Sequence, residues 1–333
     1  MRLISYYKQS RYLKDSSYKL YSLILFVTNR CNGECVGCLY SEKLNVNNDN
    51  NTKDLTLNEI KKIPEELGRI YHLQISGGEP FLRKDLPEIC KLFVQGGTKL
   101  ITIPTNGLIS CKESIRKILS YNCKLGVGIS IDGIDGKIRK GYKKALKTYL
   151  ELKKEFGKNK RFSIQIQSRI SNYNFRKIPE LVKIIKKADS NVIHALFPIR
   201  GKLVGIAPPT PEQYYKLYKI ISNRDITSIL NFWLNLGLLN GKRWPVSCVA
   251  GEKMLVIESD GDVRPCELLK SIGNIRHNNL KEIWKRKKYQ GNECLGCTHG
   301  CFLTPSLFQR PTISLLFAIK SRIFFLLRQF SNK

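Results

Sequence analysis

Six short apolar runs frame this chain: Leu23–Val27, Leu73–Ser76, Leu100–Pro104, Lys124–Ile131, Ser163–Ser168 and Val192–Phe197. Each has the length of a strand. The stretches between them, Leu57–Leu67, Leu86–Val94, Glu113–Leu119, Lys143–Phe156 and Ile178–Ala188, space their apolar residues as helices do, with capping-type starts at Thr56 and Asp85. Such alternation builds a parallel sheet covered by outer helices. Six repeats fall short of the eight of a closed barrel. The fold class predicted is therefore α/β, a partial (β/α)6 TIM-like barrel with its ligand site in the loops after the strand C-termini, followed by a small Cys-rich C-terminal domain.

At 333 residues the chain has room for one large core and an appendage. The barrel is assigned to residues 20–207, a helical connector to 208–240 beyond the Pro208–Pro211 boundary, the Cys-rich domain to 241–305 and an amphipathic tail to 306–333. Asn45–Thr52 is a polar, low-complexity loop. In the tail, Lys320, Arg322 and Arg328 argue against a spanning helix. The apolar residues Ile313, Leu316, Phe317, Ile323, Phe324, Leu327 and Phe330 follow helical spacing, which fits docking on the protein or peripheral contact with a membrane surface.

The net charge of +30 would favour an anionic partner, yet the lysines are scattered through every helical segment and no single arm concentrates them. No RNA-binding motif or aromatic–basic platform accompanies them, which sets nucleic acid aside. Eleven cysteines, odd in number and clustered, do not form the pattern of a secreted disulfide framework, and Met1–Lys19 is polar and basic rather than a secretory signal. A reducing cytoplasm is expected.

Directly after the first strand comes Cys31-Asn-Gly-Glu-Cys35-Val-Gly-Cys38. Three thiolates suit an iron–sulfur cluster that keeps one iron open. A structural zinc ion would want a fourth ligand, and none lies nearby in sequence, although the spacing alone leaves zinc or a redox thiol open. The next strands end in Ser76-Gly77-Gly78-Glu79-Pro80, Thr105-Asn106-Gly107 and Ser130-Ile131-Asp132-Gly133. Two glycines permit close backbone approach to a ligand, and a carboxylate can take an ammonium group. All these turns fall at one end of the sheet.

Over residues 20 to 200 this order of motifs resembles the radical S-adenosylmethionine (radical SAM) superfamily. The resemblance implies that Cys31, Cys35 and Cys38 hold a 4Fe–4S cluster whose open iron chelates the amino and carboxylate groups of S-adenosylmethionine. It implies that Gly77, Gly78 and Glu79 meet the methionyl amine, and that Ser130, Asn106 and Arg139 contact the ribose or carboxylate. Reductive cleavage would then give a 5′-deoxyadenosyl radical that abstracts hydrogen from substrate. Two positions depart from the family pattern: Gly37 stands where an aromatic residue is usual, and the stretch after the fourth strand is shortened to Ile134–Gly141, around Arg139.

A second series comprises Cys248, a turn at Asp260-Gly261 between Met254–Ile257 and Val263–Cys266, then Gly273-Asn-Ile, Ile283-Trp284 and Cys294-x2-Cys297-x3-Cys301. The turn brings Cys248 and Cys266 to one end of a small β unit, and a zinc ribbon of Cys248, Cys266, Cys294 and Cys297 is one reading. The series is similar to the SPASM or twitch extension of radical SAM enzymes, which implies at least one auxiliary 4Fe–4S cluster on Cys248, Cys266, Cys294, Cys297 and Cys301. Five thiols are fewer than the roughly seven of a full SPASM module. Cys90, Cys111 and Cys123 are isolated and expected to be buried structural thiols; His72, His194, His277 and His299 show no ligand spacing among themselves, His194 is expected to be a core histidine, and His299, between Cys297 and Cys301, is an outside candidate ligand. The resemblance points to an oxidoreductase or maturase acting on a peptide or protein side chain, served by an electron donor such as flavodoxin or ferredoxin. A sugar, lipid-linked or nucleotide substrate is the alternative, and a zinc-binding interaction protein the rival of another class.

Overall fold

The first strand, β1 (Leu20–Phe26), is buried along its whole length because it is paired on both edges and covered on both faces. Six parallel strands are laid down in chain order, β1, β2 (Ile70–Ser76), β3 (Leu100–Thr105), β4 (Lys124–Ser130), β5 (Phe162–Ile170) and β6 (His194–Pro198). Helices α1 (Leu57–Leu67), α2 (Leu86–Gln95), α3 (Lys112–Leu119), α4 (Tyr142–Phe156) and α5 (Ile178–Ala188) alternate with them, giving the partial barrel read from the sequence. This computed structural model describes residues 12–13, 15–38, 40, 54–199, 206–221, 226–285, 294 and 297–331; the loop Asn45–Thr52 lies outside the described residues.

The Cys-rich region continues the same sheet. Strand β7 (Met254–Ile257) pairs parallel with the free edge of β1, Ser22 opposite Met254, and β8 (Asp262–Arg264) and β9 (Gly273–Asn274) follow antiparallel. The nine strands run β6-β5-β4-β3-β2-β1-β7-β8-β9. Between β6 and β7 stand α6 (Pro211–Tyr215), α7 (Tyr218–Ile221) and α8 (Ile226–Leu239), and after β9 come α9 (Leu280–Lys285), α10 (Gly300–Gln309) and α11 (Pro311–Ser331).

Two apolar clusters flank the sheet. The larger joins Leu23, Ile75, Ile103, Val127 and Ile166 to Ile60, Phe93, Ile118 and Leu152 of the helices. The smaller joins Ile24 and Phe26 of β1 to Met254, Val256, Cys266, Leu269 and Phe302, so the Cys-rich region fills one end of the barrel interior. The remaining interior carries polar side chains among apolar ones. His72 Nε2 lies 2.9 Å from Thr102 Oγ1 and Gln74 Nε2 donates to Ser22 Oγ at 2.9 Å. Burial holds the His72 imidazole down at about 3, so it is neutral at ordinary pH.

Helix α1 starts as the sequence predicts. Thr56 forms a capping box with Glu59, accepting from the Glu59 N–H while the Glu59 carboxylate accepts from the Thr56 N–H. Asp85 does not cap α2 through its side chain, because Arg83 takes the carboxylate at 2.8 Å and reaches the Val27 carbonyl at 2.6 Å. Arg276, just beyond β9, donates from Nε to Glu59 at 2.6 Å and ties the hairpin to α1. Chiefly through Arg276, the Glu59 carboxyl is held down at about 2 against an ordinary 4.5. A depressed carboxyl stabilises the fold above its unfolded value and loses that contribution as pH falls. Thermal denaturation of the parent and Glu59→Gln should thus show a Tm gap that is constant above pH 4.5 and closes as pH falls toward about 2.

Candidate functional site

The segment leading to the first cysteine is fixed before any side chain of the triplet is considered. Gly78 N–H donates to the Thr28 carbonyl and Glu79 N–H to the Arg30 carbonyl, both at 2.8 Å, so the end of β2 is zipped to the backbone just ahead of Cys31. The glycines are required by that approach. A Cβ on Gly77, whose φ is +134°, would sit 2.4 Å from Thr28 O, and one on Gly78 would sit 2.1 Å from Arg30 O. The sequence suggested that these glycines make room for a ligand; the closest thing they admit is the Cys loop itself. Asp54 holds the same turn, accepting from Thr28 Oγ1 at 2.6 Å and Asn29 N at 3.1 Å.

Glu79 is 1% exposed, and its carboxylate accepts from Thr105 Oγ1 and Asn106 N at 2.8 Å and Phe81 N at 3.3 Å. Burial pushes its pKa up while those donors oppose it. Asn106 reaches back to the Cys loop, donating from Nδ2 to Asn32 Oδ1 at 2.7 Å. Thus β2, β3 and the Cys loop are clasped by Glu79 and Asn106.

A cavity of about 200 Å³ opens beside the triplet, walled by Cys35, Gly37, Cys38, Gly77, Asp132 and Arg139, among others. Arg139 donates to Asp132 Oδ2 at 2.8 Å, and the other oxygen of Asp132 accepts from Arg169 N at 2.7 Å. Ser130 ends β4 but does not line this cavity; Asp132, two residues on, does. Over Gly37 lies Ile206, its Cδ1 2.7 Å from where a Cβ would be. Tyr40 stacks on Phe26 at 4.1 Å between centroids and donates to Glu258 Oε1 at 3.2 Å, with Arg264 2.7 Å from the same carboxylate. That bridge from the Cys loop to the β7–β8 hairpin has no local signature in the sequence.

A second cavity, of about 600 Å³, occupies the barrel interior. It shares Ser76 and Arg169 with the first, is lined by Gln74, Thr102 and Gln167, and reaches Glu267 and Cys301. Gly128 makes part of this room, since a Cβ there would meet Gln167 Nε2 at 2.1 Å. His194 is buried on β6 with Nε2 2.7 Å from Ser168 Oγ, a core histidine.

In the Cys-rich region, Cys248 lies within electrostatic reach of Cys294 and Cys266, Cys266 also of Cys297, and Cys301 lines the interior cavity. Trp284 Nε1 donates to Gly251 O at 3.0 Å, fixing the turn after Cys248. Thr298 Oγ1 donates to Ile199 O at 2.9 Å, tying Cys297 to the end of β6. His299 is fully buried and its Nε2 bonds the Glu267 carboxylate beside Cys266. Cys90, Cys111 and Cys123 are buried in the helix-side core, as expected, with Cys111 pushed up to about 12 by burial.

Both thiol groups fit clusters better than single ions. A tetrahedral zinc site brings thiolate sulfurs to roughly 3.8 Å of one another, given Zn–S bonds of about 2.3 Å. Among the described residues, no three cysteines have all their sulfurs within 4.8 Å. A Cβ on Gly33 would lie 3.6 Å from Asn106 Nδ2, 3.8 Å from Cys31 Sγ and 3.9 Å from Cys35 Sγ, so this glycine keeps side-chain bulk away from both sulfurs. The amides of Gly33, Ala250 and His299 donate to Cys31, Cys248 and Cys297 Sγ at 3.4, 3.5 and 3.4 Å, the kind of bond that steadies cluster sulfur charge. Burial holds the Cys35 thiol up at about 11, with Arg139 pulling the other way, so a bound metal is what would make it a thiolate.

Residues 25–201 match the family described as the Radical SAM superfamily, and residues 248–302 match SPASM, an iron–sulfur cluster-binding domain. The chain is 25% identical over 282 residues to the antilisterial bacteriocin subtilosin biosynthesis protein AlbA of Bacillus subtilis, covering 78% of this chain and 58% of that one. It is 29% identical over 178 residues to the PqqA peptide cyclase of Bradyrhizobium diazoefficiens, covering 51% and 44%. It thus spans less than two thirds of either relative. Among solved structures, Streptococcus suis SuiB bound to S-adenosylmethionine superposes with a TM-score of 0.59 at 16% identity, covering 81% of this chain and 66% of that one, a likeness of fold.

Because Gly78 touches the backbone of the Cys loop, Gly78→Ala should displace Cys31 and lower iron and sulfide content severalfold after anaerobic reconstitution. Gly133→Ala, where the backbone is not left-handed and an added Cβ would meet only Asp135 Oδ1 at 3.6 Å, should retain both.

Proposed function

Because the chain belongs to the radical SAM superfamily and carries a SPASM iron–sulfur domain, we propose that it is a maturase, removing hydrogen from a peptide or protein side chain held inside the barrel. The observation that carries this reading is the pair of joined cavities. One opens beside Cys35, Cys38 and Arg139, the other runs through the barrel interior to Cys301, and Ser76 and Arg169 stand on the wall of both. A side chain in the interior would lie between the two cysteine groups.

In this reading Cys31, Cys35 and Cys38 hold a 4Fe–4S cluster with one iron left for S-adenosylmethionine, and the auxiliary cysteines hold at least one more cluster that relays electrons or anchors substrate. When bound, these cofactors supply the electron and the 5′-deoxyadenosyl radical. The protein supplies position. Arg139, oriented by Asp132, offers a guanidinium beside Cys35 and Cys38 for a carboxylate. Glu79 has three acceptor positions filled and one left for an ammonium, and Gly77, two residues before it, lines the cavity beside Cys35 and Cys38. Asn106 orients the Cys loop through Asn32, and Ser130 acts through the strand end that carries Asp132. Ile138, Ile199 and Ile206 give the cavity an apolar side that excludes water and suits an adenine.

AlbA, named for the biosynthesis of a bacteriocin, and the PqqA peptide cyclase support a peptide substrate. The basic surface suits an acidic electron donor of the flavodoxin or ferredoxin class, and eleven free thiols suit a reducing cytoplasm. A compact sugar, lipid-linked or nucleotide substrate is the second reading, favoured by the enclosed interior, whose volume lies in the range small ligands fill.

The deciding experiment adds candidate substrates to reconstituted, reduced protein with S-adenosylmethionine and follows 5′-deoxyadenosine. A short peptide encoded beside the gene should accelerate its release and lose hydrogen itself; acceleration by small molecules alone would transfer the assignment to the second reading. Cys35→Ala should abolish 5′-deoxyadenosine release altogether. Gly128→Leu, which fills the interior, should spare substrate-independent release and lower peptide turnover about 10²-fold.

A further inference from the structure

The long helix α11 (Pro311–Ser331) docks through its narrow side. Ser314, Ala318 and Ser321 are 4%, 2% and 2% exposed, and the partner helix α8 comes so close that a Cβ on Gly237 would lie 2.5 Å from Ser321 Oγ and 3.0 Å from the Phe317 ring. The opposite face is apolar and open. Leu315, Leu316, Ile319, Ile323 and Leu327 are 44%, 56%, 45%, 53% and 64% exposed, and their spacing puts them on one continuous arc of the helix. Of the apolar residues from which the sequence suggested docking, Phe317 packs inward while Leu316, Ile323 and Leu327 point away; the side chains of Phe324 and Phe330 lie outside the described residues.

The flanks of this arc are cationic. Lys320 borders one side, near enough to Lys242 to add its charge to the burial that lowers that lysine's pKa. Arg322 borders the other, its guanidinium 5.9 Å from the Trp233 ring. No Asp or Glu occurs between Cys294 and Lys333, and the chain carries a net charge of +30. None of the helices described is long and apolar enough to cross a membrane.

We propose that α11 attaches the enzyme to an anionic phospholipid surface, lying in the plane of the headgroups with Leu315, Leu316, Ile319, Ile323 and Leu327 inserted and Lys320 and Arg322 at phosphate level. An apolar arc bordered by long basic side chains matches such an interface in both chemistry and depth. A second copy of the chain fits less well, because pairing this face with itself would bring the same cations together without a carboxylate to meet them. The inference does not depend on the identity of the substrate.

Full-length reconstituted protein would be sedimented with vesicles of phosphatidylcholine alone and of an equal mixture with phosphatidylglycerol. Binding is expected to the mixed vesicles and to weaken with added salt. The triple substitution Leu316→Gln, Ile319→Gln, Ile323→Gln keeps every charge and should lower the partition coefficient tenfold or more, with cluster absorbance and substrate-independent 5′-deoxyadenosine release retained. Lys320→Gln with Arg322→Gln should weaken binding less and flatten its salt dependence. Equal binding by the triple variant would assign the attraction to diffuse charge and overturn the proposal. So would equal binding to phosphatidylcholine, absence of binding, or a dimer that the triple variant dissociates in a protein that ignores vesicles.

Discussion

Two backbone hydrogen bonds, Gly78 N–H to Thr28 O and Glu79 N–H to Arg30 O, determine where everything else at the site can be. They require strand ends to approach more closely than a side chain would allow, which is why glycine occupies 77 and 78. Once that contact is made, the Glu79 carboxylate is carried into the end of β3, Asn106 is placed to hold Asn32, and the cysteine loop is left with little freedom. Steric permission at two residues therefore sets the geometry of three thiols, and the electrostatics of Arg139 and Asp132 are added to a frame already built.

The barrel was legible because its helices and its helix-facing strand residues obey simple periodicities. The starts of β1 and β2 were not, since Ser22 and His72 point polar groups into the interior and interrupt the apolar runs by which strands are recognised. The cysteines and the strand-end turns were legible as types in sequence order. Asp54, Tyr40 and Glu258 were not, because each acts on a residue distant in sequence and carries no local pattern. Asp85 shows the reverse error: a residue with the chemistry of a cap is claimed by Arg83, a nearer and charged donor. Gly128 carried a signal that could have been used, a glycine inside a strand marking space needed by another group.

The two cysteine groups are coupled mechanically as well as by placement. Tyr40 links the first loop to Glu258 and Arg264 of the hairpin, and Thr298 links Cys297 to the end of β6. The interior cavity is bounded by barrel strands on one side and by Glu267 and Cys301 on the other. Substrate enclosed there would touch residues from both ends of the chain, so its recognition and the orientation of the two cysteine groups would be set by the same packing.

The pairing of Ser22 with Met254 joins the beginning of the described fold to a segment synthesised near its end. Until that segment leaves the ribosome, β1 presents a row of unsatisfied amides and carbonyls along one edge, and Ile24 and Phe26 lack their cover. Contacts of such long sequence separation form late and slowly. The cysteine triplet follows directly from β1, so a nascent barrel would expose its thiols and its stickiest edge together, and iron delivery would be safest after the last strands had closed over both.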